Sequence, residues 1–112
     1  MLDRLAGRLE QYMDLLGARQ KLVASNIANA DTPGYKTQDI DFQTEFLNAT
    51  AGTAPHAVDA RGLTVRNDGN NVSIDREARL LAENALRFSI ASNLLRSQIR
   101  MVKEAISGGN GG

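Results

Sequence analysis

From residue 74 to residue 106 the apolar positions step by four and three: Ile74, Ala78, Leu81, Ala85, Phe88, then Ser92, Leu95, Ile99, Val102 and Ile106. More than four heptads in one register admit little besides a long α-helix whose seam must be covered. Asp75 stands where an N-cap belongs, and Glu77 falls in the first turn, where the helix dipole favours an acid. Ala91, Leu94, Met101 and Ala105 form a second flank beside the seam. One partner helix covers one seam, so the flank predicts association; burying each such side chain is worth about 1.5–3 kcal/mol. The plainer alternative is a small helical domain in which the middle of the chain covers the flank.

A second amphipathic stretch opens the chain, from Leu2 to about Asn29, with its stripe interrupted at Arg19 and Asn26. Gly7 and Gly17 each weaken it by up to ~1 kcal/mol, so this helix depends on packing. The expected fold class is mainly α: two long terminal helices pairing as an antiparallel coiled-coil hairpin around an irregular middle. Leu5, Leu9, Tyr12, Leu16 and Val23 are expected to pack against Leu81, Phe88, Leu95, Ile99 and Val102. The expected divisions are a first helix at 1–30, an irregular segment at 31–74, a second helix at 75–107 and a loose glycine tail at 108–112. Within the middle, Asp68-Gly69 between two β-like runs marks a candidate β-hairpin at 63–74. Gln38-Asp39-Ile40-Asp41-Phe42 alternates polar with apolar and fits an extended run, whereas Phe42, Phe46 and Leu47 fit the start of one short helical turn; both readings stay open.

Composition removes most chemistry. The 112 residues include no cysteine and one histidine, and the thirteen basic and thirteen acidic side chains balance. Disulfides, thiolate metal sites and cysteine nucleophiles are excluded, and no basic field attracts nucleic acid. His56 sits in a small-residue loop without a partner motif, and Asp39 and Asp41 lack a third ligand. No phosphate-cradling glycine loop or nucleophile elbow occurs. The expectation is a non-enzyme with no cofactor, no small-molecule substrate and no nucleic-acid partner. No apolar core follows Met1–Leu5, so no cleaved signal peptide is expected, and no run approaches a membrane span.

Charge is nevertheless uneven. Asp31 to Glu45 holds four acids and one lysine, whereas Arg87 to Lys103 holds four bases and no acid. Solvated faces are the ordinary outcome of such runs. The functional reading is that Asp39 and Asp41 of one subunit dock on Arg96 and Arg100 of another, beside Leu94 and Met101.

The first helix runs into Ser25-Asn26-Ile27-Ala28-Asn29-Ala30-Asp31-Thr32-Pro33-Gly34-Tyr35-Lys36. Thr32 precedes a proline and is pushed out of the helical region. Pro33 pre-sets the second position of a β-turn, and Gly34 accepts the positive φ of a type II third position. Asn26 and Asn29 carry carboxamides that can satisfy backbone groups at a helix end.

This string at the end of a heptad helix resembles the motif of the flagellar basal-body rod family, which also includes hook and distal-rod proteins. Met1-Leu2-Asp3-Arg4-Leu5, Asp39-Ile40-Asp41-Phe42, Asp75-Arg76-Glu77 and Leu81-Ala82-Glu83-Asn84-Ala85-Leu86-Arg87-Phe88 resemble a proximal-rod member. The match covers roughly two-thirds of the chain; residues 48–71 match nothing. The resemblance implies export through the flagellar type III apparatus and assembly into a hollow helical rod used in motility. It implies as partners the other proximal rod proteins, further copies of this chain, the adaptor FliE, the MS ring and the export apparatus. Unfolded export agrees with the absence of cysteine, and non-closing heterologous contacts make a filament. A cytoplasmic, homo-oligomeric coiled-coil adaptor is the alternative from a different class, and a secreted effector a weaker one.

Overall fold

The computed structural model describes residues 2–49 and 53–110. In chain order the elements are α1 (Leu2–Ala28), β1 (Gln38–Asp39), α2 (Phe42–Leu47), β2 (Val58–Asp59) and α3 (Ile74–Asn110). Asn26 of α1 meets Glu77 of α3, Gln20 meets Asn84, and Tyr12 meets Arg87. Rising numbers on one helix oppose falling numbers on the other, which is the expected antiparallel hairpin. At ~1.5 Å per residue, α3 outreaches α1 by about 15 Å. The last turns of α3 therefore project beyond the start of its partner, and the molecule is 71 Å long.

The fold class stands as expected, and three details differ. First, the small antiparallel sheet pairs Gln38 with Asp59 and Asp39 with Val58, and 63–74 is not a hairpin. There the turn at Asp68-Gly69 forms, with the Arg66 amide donating to the Asn70 carbonyl at 2.8 Å. Beyond that bond and the Arg66 guanidinium on the Val72 carbonyl at 2.9 Å, the two runs form no ladder, because the Asn70 and Asn71 side chains turn inward and bind the chain at 29–37 instead. Second, α3 runs through Gly108 to Asn110, past the expected stop at 107; Gly111 and Gly112 lie outside the described residues.

The third difference concerns which side of α3 faces α1. The buried row is Glu77, Asn84 and Ala91, spaced by seven. Of the expected seam, Leu95 and Val102 are half-buried, while Leu81, Phe88 and Ile99 are 41%, 45% and 48% exposed. On α1 the expected stripe holds better: Leu16 and Val23 are buried, Leu9 and Tyr12 half-buried, and Leu5 exposed. The inward side of α3 is set by polar bonds to α1 that apolar periodicity does not register.

Between the helices, residues 42–47 take the helical alternative. Asp41 caps α2 by accepting the Thr44 amide at 3.3 Å. Phe42 and Phe46 meet the Tyr12 ring edge-on at 5.4 and 5.8 Å, and the Arg8 guanidinium lies 4.1 Å over Phe46. The middle segment thus covers one side of α1. It leaves Leu86, Ile90, Leu94, Ile99 and Met101 of α3 exposed. Inside, Leu15, Leu16, Val23, Ile40, Val72 and Ala91 are buried beside Asn26, Thr37, Asp39, Asn70, Asn71, Glu77 and Asn84. Polar side chains are at least as numerous in this core as apolar ones, so hydrogen bonds decide its shape.

Candidate functional site

The polar core concentrates where α1 hands over to the middle segment. Asn26 is fully buried, and its carboxamide uses every valence. Nδ2 donates to the Gln38 carbonyl at 2.8 Å and to Glu77 Oε2 at 3.2 Å. Oδ1 accepts the Gln38 amide at 3.0 Å and the Tyr35 hydroxyl at 2.9 Å. The side chain acts as a strand neighbour to Gln38, matching its donor and acceptor at once. A carboxylate cannot donate and an aliphatic side chain can do neither, so the position calls for an amide.

The turn that follows is as expected, and it is held from both sides. The Tyr35 amide donates to the Thr32 carbonyl at 3.2 Å, closing the β-turn, with Gly34 at φ 76°. Asn29 Nδ2 bonds the Ser25 carbonyl at 2.9 Å, and Thr32 Oγ1 donates to Asn29 Oδ1 at 3.0 Å. The outer support comes from 66–71. Asn70 Nδ2 donates to the Asn29 and Thr32 carbonyls at 2.9 and 2.8 Å, and the Gly34 amide reaches the Asp68 carbonyl at 2.9 Å. Asn71 Oδ1 accepts the Thr37 amide at 2.6 Å, and the Asn71 amide donates to the Tyr35 carbonyl at 3.2 Å. Arg66 donates to the Ala30 carbonyl just beyond the end of α1, and Lys36 to the Gly69 carbonyl. A Cβ on Gly69 would lie 3.3 Å from Gly34 Cα, so the two turns touch backbone to backbone.

An ion-pair cluster ties this knot to both helices. Arg19 grips Asp39 with two bonds of 2.9 Å, and Arg76 reaches Asp39 and, at 2.7 Å, Glu77. Burial raises the Asp39 pKa; Arg19, the Ile40 amide and Arg76 outweigh it, so the carboxyl sits below its ordinary value. Asp39 is expected at a contact between subunits, and this is a correction: the side chain is 10% exposed and spent on two arginines of its own chain. Arg19 and Asn26, which interrupt the apolar stripe of α1, are the residues that anchor the knot.

The remaining expected contacts, Asp41, Leu94, Arg96, Arg100 and Met101, are exposed. Of the motif, Asn26 is buried and Asn29 and Tyr35 are half-buried. Ser25, Ile27, Asp31, Thr32, Pro33, Gly34 and Lys36 face outward. Sequence reasoning missed Arg66, Asn70, Asn71 and Glu77, which supply the socket for the motif. Their signal was present in Asp68-Gly69-Asn70-Asn71, two carboxamides directly after a turn dipeptide. Among the described residues, no group of three or more His, Cys, Asp or Glu could hold a metal, and no helix is long and apolar enough to cross a membrane.

A family model described as "Flagella basal body rod protein" matches residues 13–36, the second half of α1 and the turn just described. The flagellar basal body rod protein FlgB of Salmonella typhimurium is 33% identical over 98% of this chain and all of its own length. The chain belongs to the FlgB family of flagellar basal body rod proteins. The FlgB of Escherichia coli is 32% identical over the same shares, and that of Borreliella burgdorferi 31% over 75% of this chain and 82% of its own. As a rod protein it is a structural component of the flagellar basal body and not an enzyme. The knot ties the paired helices to the segment that leaves them.

Proposed function

We propose that the chain is a subunit of the proximal rod, passed outward through the flagellar type III export apparatus and assembled into the hollow helical drive shaft. The helix pair lies in the wall of the tube, and its neighbours are further copies, other proximal rod proteins, the adaptor FliE and the MS ring. One observation carries this reading: α3 keeps two apolar rows outside. Leu81, Phe88, Ile99 and Ile106 form one, and Leu86, Ile90, Leu94 and Met101 the other, each 41–63% exposed. Two such rows on a helix that also overhangs its partner are an unfinished core, and neighbouring helices supply the missing half. Arg96, Arg100 and Lys103 lie along the same half of α3, and exposed Asp41 and Asp59 offer a neighbour's counter-charge.

Leu94→Asp tests the reading. Leu94 is 51% exposed, so the isolated chain keeps its fold while the face becomes charged. Export into the medium persists, rod assembly stops and cells are non-motile. Normal swimming in that variant contradicts the assignment.

A further inference from the structure

α3 carries two candidate faces for α1, and the less apolar one is inside. Asn84 is 3% exposed and Ala91 2%, with Gln98 half-buried one heptad on. The row Ile74, Leu81, Phe88 lies about 60° around the helix, three residues at about 100° each. Turning α3 by that amount would bury Leu81 and Phe88 against Leu16 and Val23 and release Asn84 and Gln98 to water. Hydrophobic transfer favours burying Leu81 and Phe88 over Asn84 and Gln98, although half-buried Leu95 and Val102 would move partly outward. The observed arrangement also leaves Asn84 Oδ1 and Gln98 Oε1 buried without a hydrogen-bond partner. What holds it is directional: Asn84 Nδ2 donates to Gln20 Oε1 at 3.2 Å, in line with the Asn26–Glu77 contact one heptad earlier.

We propose that Asn84 and Gln98, with small Ala91 between them, are positioning residues that select which side of α3 faces α1. They trade stability for a unique setting, the best-attested use of polar residues in a helix seam. Ala91 lets the helices approach, and Asn84 reads Gln20. The consequence is that Leu81, Phe88, Ile99 and Ile106 stay outside, available to a neighbour. That consequence rests on the assembly reading above; the setting of the helix does not, and the isolated chain tests it separately.

The chain has no cysteine, so single thiols report the setting directly. Ala91 is buried and Ala85 is exposed on the side of Phe88. Ala91→Cys and Ala85→Cys are each alkylated with iodoacetamide in the purified full chain, with and without N84A/Q98A, which removes the bond to Gln20 and adds little apolar surface to the inner face. In the otherwise native chain the thiol at 85 reacts about tenfold or more faster than that at 91, as protection by burial requires. In N84A/Q98A the order reverses, because the turned arrangement wins. Adding L81N/F88Q to N84A/Q98A removes the competing row and restores the native order. An unchanged order in N84A/Q98A, or no restoration by L81N/F88Q, overturns the proposal. These outcomes are independent of whether Leu94→Asp blocks the rod.

Discussion

Asn26 shows why one residue type is demanded at one place. Its amide sits between a backbone amide, a backbone carbonyl, a phenol and a carboxylate, and satisfies all four. Asn26→Asp keeps the shape but removes both donors and sets a second carboxylate against Glu77. Urea unfolding should register a loss of about 3 kcal/mol, the scale of unpaired buried polar groups and charges. Gly69 answers to a different constraint, with φ 85° and the Gly34 backbone 3.3 Å from where a Cβ would stand. Gly69→Ala should cost about 1–2 kcal/mol from the left-handed conformation alone. Asp39 adds a pH dependence. Its folded pKa lies below the ordinary carboxylate value, so the native state binds fewer protons there than the unfolded one. Its stabilisation is complete above that ordinary range and is lost as pH falls through the lowered value. Asp39→Asn should therefore unfold more easily at neutral pH and show a flatter acid limb in a pH series of melts.

The two helices were legible because 3.5-residue periodicity survives over many turns, and the end of α1 because Pro33 and Gly34 have fixed conformational meanings. The inward side of α3 was not. Leu81 and Phe88 look like a seam residue by residue, but Glu77 and Asn84 are recruited by Asn26 and Gln20, which lie 51 and 64 positions away in sequence. Pairing of that kind leaves no local periodicity. Strands two residues long leave little more: the alternation at 38–42 marks an extended run, but nothing local marks 58–59 as its partner, and the β-like run at 63–74 stands out instead. The motif was visible and its socket was not: Asn70 and Asn71 look like ordinary turn residues until residues 29–37 come to rest on them. Within α2, Phe46→Ala should expose the Tyr12 ring and loosen the middle segment while leaving the helix pair intact. Amide exchange should quicken in 42–47 and stay slow around Val23 and Asn84.

For the whole molecule, the knot and the exposed rows divide the labour. The knot ties the end of α1, residues 29–39 and 66–71 and the start of α3 into one unit, using polar bonds that need no neighbour. The rows of α3 are exposed in the single chain, and in the assembly proposed above neighbouring subunits cover them. The most direct measurement places a photo-crosslinking amino acid at Phe88, at Leu94 or at Ala91 and irradiates assembled basal bodies. Phe88 and Leu94 should yield adducts between this chain and neighbouring rod subunits, and Ala91 only bonds within the chain. Intersubunit adducts from Ala91, or none from Phe88 and Leu94, would contradict an outward-facing assembly surface on α3.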